Sequence, residues 1–529
     1  MRLSVAPWIA SSLLVAGCST SPTGGPTVAA KGAPAPGAAG IELLTDDLGI
    51  THVYGPTDAA VFYGAGYSMA RDRLFQMELM RRRALGTSAE VFGKAALKED
   101  IGARAFAFAR LGQQDFAAAR VAVPEEAALV EAWARGVNQR IDEVRDGRAP
   151  RPYGLGDGPG ELGFVPEPWT PEHAFAIGKL LNFGLSNTLD HELLASVLLK
   201  LAPDFARKVP ISLPAEDDFS TPRTTAPTDR ESVAPPLVTA DQRNAAEALE
   251  HLARSAGPWS FASESGFSNN WAVAGALTDN GRPLLAGDPH QQATNPVRLW
   301  PLHMHSAAHG GTLDVAGFAF VGPPTVQLGH NARVAWTATT AYPDIMDMWE
   351  VGVIGTKAWI AGRLVDVVPR KERVRVRREG EPYGRNDEET ITLRDVPGYG
   401  ILLPDEFLPF PAFLLLSLGK NAVLFNWEGF APSREALAYL RMDRARNVDE
   451  LEAAIDTIEV GAQNFVGADA KSITYRVGAR VPDRGRPGAR PMPWRILSGD
   501  NPAHFWTGAH LDASRLPRDR DPARGYLYT

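Results

Sequence analysis

A mixed α+β chain is predicted, helical in its first part and strand-rich in its second. Three observations carry this. Apolar residues recur with a helical period from Asp58, most strongly over Gly66–Leu85, and helical patterns continue to about Leu201. From Asn270 onward, short apolar runs bounded by turn residues take over. Between the two, residues 213–240 shift to Pro, Thr, Ser, Asp and Glu with few large apolar side chains, a linker composition, and a polar helix follows at about 240–255.

The elements follow in chain order. Met1-Arg2 and the apolar run Val5–Val15 read as a signal peptide, too short to span a bilayer. Val15-Ala16-Gly17-Cys18 resembles a bacterial lipobox, so cleavage before Cys18 would leave that residue to carry lipid. Ser19 resembles the pattern sorted to the outer membrane, which predicts an exported lipoprotein facing the periplasm. Cys18 is the only cysteine, so no disulfide forms within the chain. The expected segments are 1–17 signal, 18–39 flexible tether, 40–212 helical region, 213–267 linker and 268–529 strand-rich region.

Gly40–Leu44 and Thr51–Gly55 read as a hairpin around Asp46-Asp47-Leu48-Gly49. Gly86 is the expected cap of the helix that follows, with Glu78 and Arg82 paired on its exposed side. Later strands are expected at Trp271–Leu277, Pro283–Ala286, Val315–Val321, Ala332–Thr337, Met346–Val353, Arg373–Arg378, Glu389–Leu393, Ala422–Trp427, Gln463–Ala468 and Ser472–Val477. Helices are expected at Ser433–Met442 and Val448–Thr457.

A net charge of −8 over 529 residues, with 22% charged side chains, argues against nucleic acid as the main partner. The basic clusters Arg81-Arg82-Arg83 and Arg370–Arg378 are short and read as solvated faces.

Chemistry concentrates at Ser268, which opens Ser-Asn-Asn-Trp-Ala-Val after Gly266-Phe267. If the Phe267–Ser268 bond breaks, Ser268 carries a hydroxyl nucleophile and an α-amine in one residue. That amine titrates at roughly 7.7–8.0, close to what a general base at neutral pH needs. A serine in a turn before an edge strand fits the same six residues.

Further blocks bear on the choice. Gly49-Ile50-Thr51-His52-Val53-Tyr54, Gly64–Glu78, Arg81-Arg82 and Gly86–Gly93 are similar to the opening of the α chain in the penicillin acylase family of N-terminal nucleophile hydrolases. Ser268-Asn269-Asn270-Trp271 resembles the β-chain start, and Gly329-His330-Asn331 through Ala335-Trp336-Thr337 a later block. The resemblance runs from about residue 41 to the C-terminus.

The family implies an αββα sandwich, two packed antiparallel sheets flanked by helices, assembled from α and β chains cut from one precursor. It implies Ser268 as nucleophile, Asn464 as side-chain oxyanion donor and the Thr340 N–H as the second donor. It further implies that His290 orients the nucleophile and that Arg484 supports Asn464 and the new amino terminus. Asp344, Met346 and Asp347, with Asp190 or Glu192, resemble a structural calcium site, and oxygen ligation suits that ion. No organic cofactor is implied. Phe62 or Phe75, Trp300 and Phe320 are candidate walls of an acyl pocket, and His303-Met304-His305 reads as core or pocket lining.

The implied reaction is hydrolysis of an acyl amide: a β-lactam side chain, an acyl-homoserine lactone or a related molecule. Family members typically continue well beyond the point matching Thr529, so the C-terminal part of the β region is expected to be missing. The competing expectation is an unprocessed surface lipoprotein that keeps the fold as a binding module.

Overall fold

The computed structural model describes residues 40–158, 160–186, 188, 189, 192, 196, 268–291, 294–407, 421–485 and 495–529. The expected signal peptide, Cys18, the tether, the linker with Phe267, and Asp190 lie outside the described residues.

The N-terminal hairpin forms as expected. Strands β1 (Glu42–Thr45) and β2 (Thr51–Tyr54) pair around a turn in which Asp46 accepts from the Leu48 and Ile50 N–H groups. Helix α1 (Asp58–Leu85) starts where the Thr57 hydroxyl accepts from the Ala60 N–H. It ends at Gly86, whose φ of 65° is the left-handed cap conformation. Short α2 (Ala89–Phe92), α3 (Leu97–Ala105) and α4 (Phe108–Ala122) lead to α5 (Pro124–Arg145), which packs along α1, and to α6 (Pro171–Ser186). No helix among the described residues is long and apolar enough to cross a membrane.

Two expectations for α1 are overturned. Glu78 and Arg82 are not on an exposed side, and Arg81-Arg82 is not a solvated face: all three are buried. Glu78 takes Arg81 at 2.5 Å and Arg82 at 2.8 Å, and Arg82 also reaches Glu90 at 3.1 Å. The Phe164 and Tyr383 rings cover the Arg82 guanidinium at 5.1 and 5.6 Å. Those partners lie far along the chain, where helical periodicity carries no information.

After Ser268 come β3 (Ser268–Val273), β4 (Leu284–Pro289), β5 (Leu299–His305), β6 (Asp314–Phe320), β7 (Leu328–Asn331) and β8 (Ala335–Thr340). Next are β9 (Met346–Ile354), β10 (Lys357–Ile360), β11 (Arg363–Asp366), β12 (Val368–Arg377), β13 (Asn386–Val396), β14 (Gly400–Leu402) and β15 (Asn421–Trp427). Helices α7 (Glu435–Asp443) and α8 (Val448–Ile455) precede β16 (Gln463–Ala468) and β17 (Ile473–Gly478). The described chain closes with β18 (Leu497–Ser498), β19 (Arg518–Arg520) and β20 (Tyr526–Tyr528). Most expected strands are present with shifted ends. The strand expected to reach Leu277 stops at Val273, and Gly275–Leu277 is a 3-10 turn.

The strands make three sheets. A nine-stranded sheet runs β1-β2-β5-β6-β7-β8-β16-β17-β19, and a three-stranded sheet runs β20-β3-β4. The strands of the small sheet lie against β8, β16 and β17. Ala272, Leu527, Val466, Ile473 and Tyr475 form the apolar layer between them. The opposite face of the large sheet meets helices: Leu302, Met304 and Val315 share one core with Phe62 and Met69 of α1. The described residues thus supply a helix layer and two sheet layers of the expected sandwich. A further eight-stranded sheet, β11-β10-β9-β15-β14-β13-β12 with β18 beside β9, was not legible as a separate sheet. Its β12 leans on α2 and α3.

One glycine sets the spacing of the two packed sheets. A Cβ at Gly287 of β4 would lie 1.7 Å from the Thr337 hydroxyl oxygen of β8. Gly287 pairs with Asn270, two residues from Ser268 on the same strand. Gly287→Ala is therefore expected to destabilise the protein by about 1–3 kcal/mol. It should also displace the Ser268 end of β3, read as a lower melting temperature together with reduced reactivity at Ser268.

Candidate active site

Alternation along a strand decides which side chains share the layer between the sheets. On β3, Ser268, Asn270 and Ala272 point toward the large sheet, whereas Asn269 and Trp271 are exposed. On the large sheet, the antiparallel register puts Thr339 opposite Asn464 and Thr337 opposite Val466, so these four share one face. That is the face the small sheet covers. Ser268 and Asn464, about two hundred residues apart, are thereby drawn into one layer.

Ser268 opens into a cleft of about 590 Å³ that His290 and Thr340 also line. Its walls are largely apolar: Phe75, Leu79 and Met80 from α1, Leu181 from α6, and Phe320 and Val321 from the end of β6. Arg83 and Glu99, paired at 2.7 Å, and Arg298 add charge to the lining. Of the candidate wall residues, Phe75 and Phe320 line the cleft, whereas Phe62 and Trp300 are buried in the core. Helix α6 is pinned by Lys179, which lies 3.2 Å from Asp115 and donates to Ser433 at 2.6 Å. Burial pushes the Asp115 carboxyl up to about 6 against the pull of that ammonium.

The Thr340 N–H is directed off the β8–β16 ladder. Ala341 N–H donates to the Ala462 carbonyl, so 341 and 462 form a hydrogen-bonded pair. The adjacent pair, Thr340 and Gln463, is then the non-hydrogen-bonded kind, with its N–H groups facing outward.

Asn464 is held by its neighbours. Its amide donates to the Thr339 hydroxyl at 3.1 Å and the Thr340 carbonyl at 3.3 Å, and its oxygen accepts from the Tyr475 hydroxyl at 2.8 Å. Asn270 donates to the Asn464 carbonyl at 3.3 Å and is itself tied to Thr529. Asn464 therefore stands behind Thr340, with both amide hydrogens engaged. Asn270, Thr339 and Tyr475 were missed in the sequence. Only Asn270 had a signal there, its place beside Ser268.

His290 shares the cleft, yet its Nε2 lies 3.1 Å from both Asn269 and Asp288 on the outer side of the small sheet. In this conformation that nitrogen braces the strand ends. Arg484 is placed differently from the expectation. It donates to Asp347 at 2.9 Å, Asp344 at 2.6 Å and the Met346 carbonyl at 3.4 Å, whereas the Asn464 amide is held by Thr339, Thr340 and Tyr475. The reason is charge: Asp347 is fully buried, and Glu192 beside it is also buried.

Asp344, Met346 and Asp347 thus converge on the Arg484 guanidinium. Burial, then the Asp347 and Asp344 carboxylates, hold the Glu192 carboxyl well above the usual range. Asp344, Asp347, Glu192 and the Met346 carbonyl are oxygen donors of the kind a calcium ion takes.

The whole of residues 41–529 matches the penicillin amidase family. Among curated proteins, the chain is 30% identical over 497 residues to a penicillin acylase 2 proenzyme from Pseudomonas sp. (strain SE83), covering 92% of this chain and 58% of that protein. It is 27% identical over 551 residues to the acyl-homoserine lactone acylase QuiP of Pseudomonas fluorescens (strain Pf0-1), covering 100% of this chain and 60% of that protein. The chain therefore spans about 60% of the length of these relatives. A solved thermostable penicillin G acylase from Alcaligenes faecalis aligns at TM-score 0.41 and 21% identity, over 49% of this chain and 43% of the other. On the match across nearly all of its length, this chain belongs to the penicillin amidase family.

Proposed function

We propose that the chain is a self-processing N-terminal serine hydrolase that cleaves the amide bond of a small molecule bearing an apolar acyl group. The observation that carries this reading is Ser268, first residue of β3, lining a largely apolar cleft together with Thr340. Breaking the Phe267–Ser268 bond gives an α chain and a β chain that remain associated. The freed α-amine takes the Ser268 hydroxyl proton through a water, and Oγ attacks the amide carbonyl. The negative oxygen that forms is met by the Thr340 N–H and, once one of its present hydrogen bonds is released, by the Asn464 amide. The amine leaves with the returned proton, and water hydrolyses the Ser268 ester to the free acid.

The cleft walls suit an aliphatic or aromatic acyl chain, in keeping with relatives named for penicillins and acyl-homoserine lactones. Asp344, Asp347, the Met346 carbonyl and Glu192 would hold a calcium ion, which supplies charge neutralisation away from the reacting atoms. The Cys18 motif supports export and a lipid anchor in the outer membrane.

The test is amine release from a panel of N-acyl amides, acyl-homoserine lactones and penicillins of graded acyl length. Turnover of at least one apolar-acyl member by protein cut at Ser268 is expected. Cut protein that releases no amine from any member defeats the proposal. Asn464→Ala is expected to lower kcat by about 10²–10³-fold with KM little changed, since the lost donor acts on the transition state.

A further inference from the structure

Away from the cleft, the large sheet gathers a second set of chemical groups. Trp300, Leu302 and Met304 of β5 face the helices, so His303 and His305 stand on the other face. The parallel register of β2 with β5 puts His52 beside His303, and β6 brings Asp314 opposite His305. His303 Nε2 lies 3.2 Å from Asp314 Oδ1, and His305 Nδ1 lies 2.9 Å from the same oxygen. One ligand atom from each of the three falls within 4.8 Å of the others. Behind them, His303 Nδ1 is 3.1 Å from His52 Nδ1, and His52 Nε2 is 3.3 Å from Asp46. The two histidines of β5 are thus half-buried and outside the apolar core.

Counting hydrogens shows what this string lacks. Asp46, His52, His303 and Asp314 make three successive contacts, but two neutral imidazoles bring only two N–H groups. When His52 donates to Asp46 and His303 Nδ1 donates to His52, the His303 Nε2 lone pair faces a carboxylate oxygen with no hydrogen between them. His305 is aimed at that same oxygen. An electrophile at this point would satisfy all three groups. Tetrahedral ligands at 2.0–2.1 Å from an ion stand about 3.3 Å apart, close to the two nitrogen–oxygen separations here.

We propose that His303, His305 and Asp314 bind a divalent transition-metal ion of the zinc class, with His52 and Asp46 as the hydrogen-bonded partners that orient His303. Two imidazoles and one carboxylate favour such an ion over calcium, which takes oxygen ligands. Asp314 is 41% exposed, which leaves a side open for a water ligand. The ligands sit on β5 and β6, after Ser268, and their outer partners on β2 and its turn, before it. If the chain is cut as proposed above, the ion fastens the N-terminal hairpin of one piece to the sheet of the other. Binding itself does not depend on that cut.

The experiment uses the full chain and its uncut Ser268→Ala form, both stripped by chelator. Zn²⁺ is titrated by calorimetry and Co²⁺ by visible absorption. One equivalent is expected in each form, with cobalt d–d bands and no thiolate charge-transfer band. His305→Ala and Asp314→Asn should each abolish that equivalent, and His52→Ala should weaken it by about 10–100-fold. Circular dichroism of the near-isosteric Asp314→Asn protein separates a lost ligand from a lost fold. No binding in either form, wild-type affinity in both ligand variants, or a thiolate band that places the ion on Cys18 would each overturn the site.

Discussion

Ser268→Ala is expected to give a single uncut chain with no amidase activity, and the native protein to give a second chain beginning Ser-Asn-Asn-Trp. The size of the effect follows from the residue's three tasks. On the function proposed above, it attacks its own peptide bond, supplies the base once freed, and carries the acyl group in turnover. Removing a nucleophile that acts as a unit with its base typically lowers kcat by about 10⁶-fold, and here the base is never generated. Intact mass and N-terminal sequencing read the cut, and amine release reads the turnover. A β chain starting at 268 in the alanine protein would show that another residue performs the cleavage. An uncut native chain would favour the unprocessed lipoprotein reading. Because β3 is ordered by its pairing with β4 and β20 through backbone groups, the alanine protein should fold normally.

Arg484→Ala carries the largest expected loss of stability. Its guanidinium bonds Asp344 and Asp347, and Asp347 has no exposure to solvent. Removing one partner of a buried ion pair takes the counter-charge from the other, which costs about 3–5 kcal/mol. Denaturant titration should show that loss. Millimolar Ca²⁺ should restore part of it if Asp344, Asp347 and Glu192 form a cation site, and should restore less in the double variant with Asp347→Asn. Unchanged stability with failed maturation would return Arg484 to the role its sequence motif implies, support of Asn464 and the new amino terminus.

Much of this protein was legible without coordinates, and the reasons are local. The hairpin at Asp46 and the cap at Gly86 follow from residues within four positions of each other. The order of helices before strands follows from periodicity. The resemblance over 41–529 placed Ser268, Thr340 and Asn464, and the structure puts all three within one packed layer or its edge.

What the sequence left open depends on which strands meet. Short strands such as β10, β11 and β14 carry too few residues for an alternation to register, so the eight-stranded sheet was not legible as a separate sheet. Burial of Glu78, Arg81 and Arg82 needed Phe164 and Tyr383 to arrive from elsewhere. His303 and His305 showed only an alternation, because their partners Asp314 and His52 come from two other strands in two different pairings. By itself the sequence determined most of the elements and the family, since those reside in short runs of residues. Tertiary structure alone decided sheet partners, buried charge and the histidine cluster, since each is set by distances between groups that the chain holds far apart.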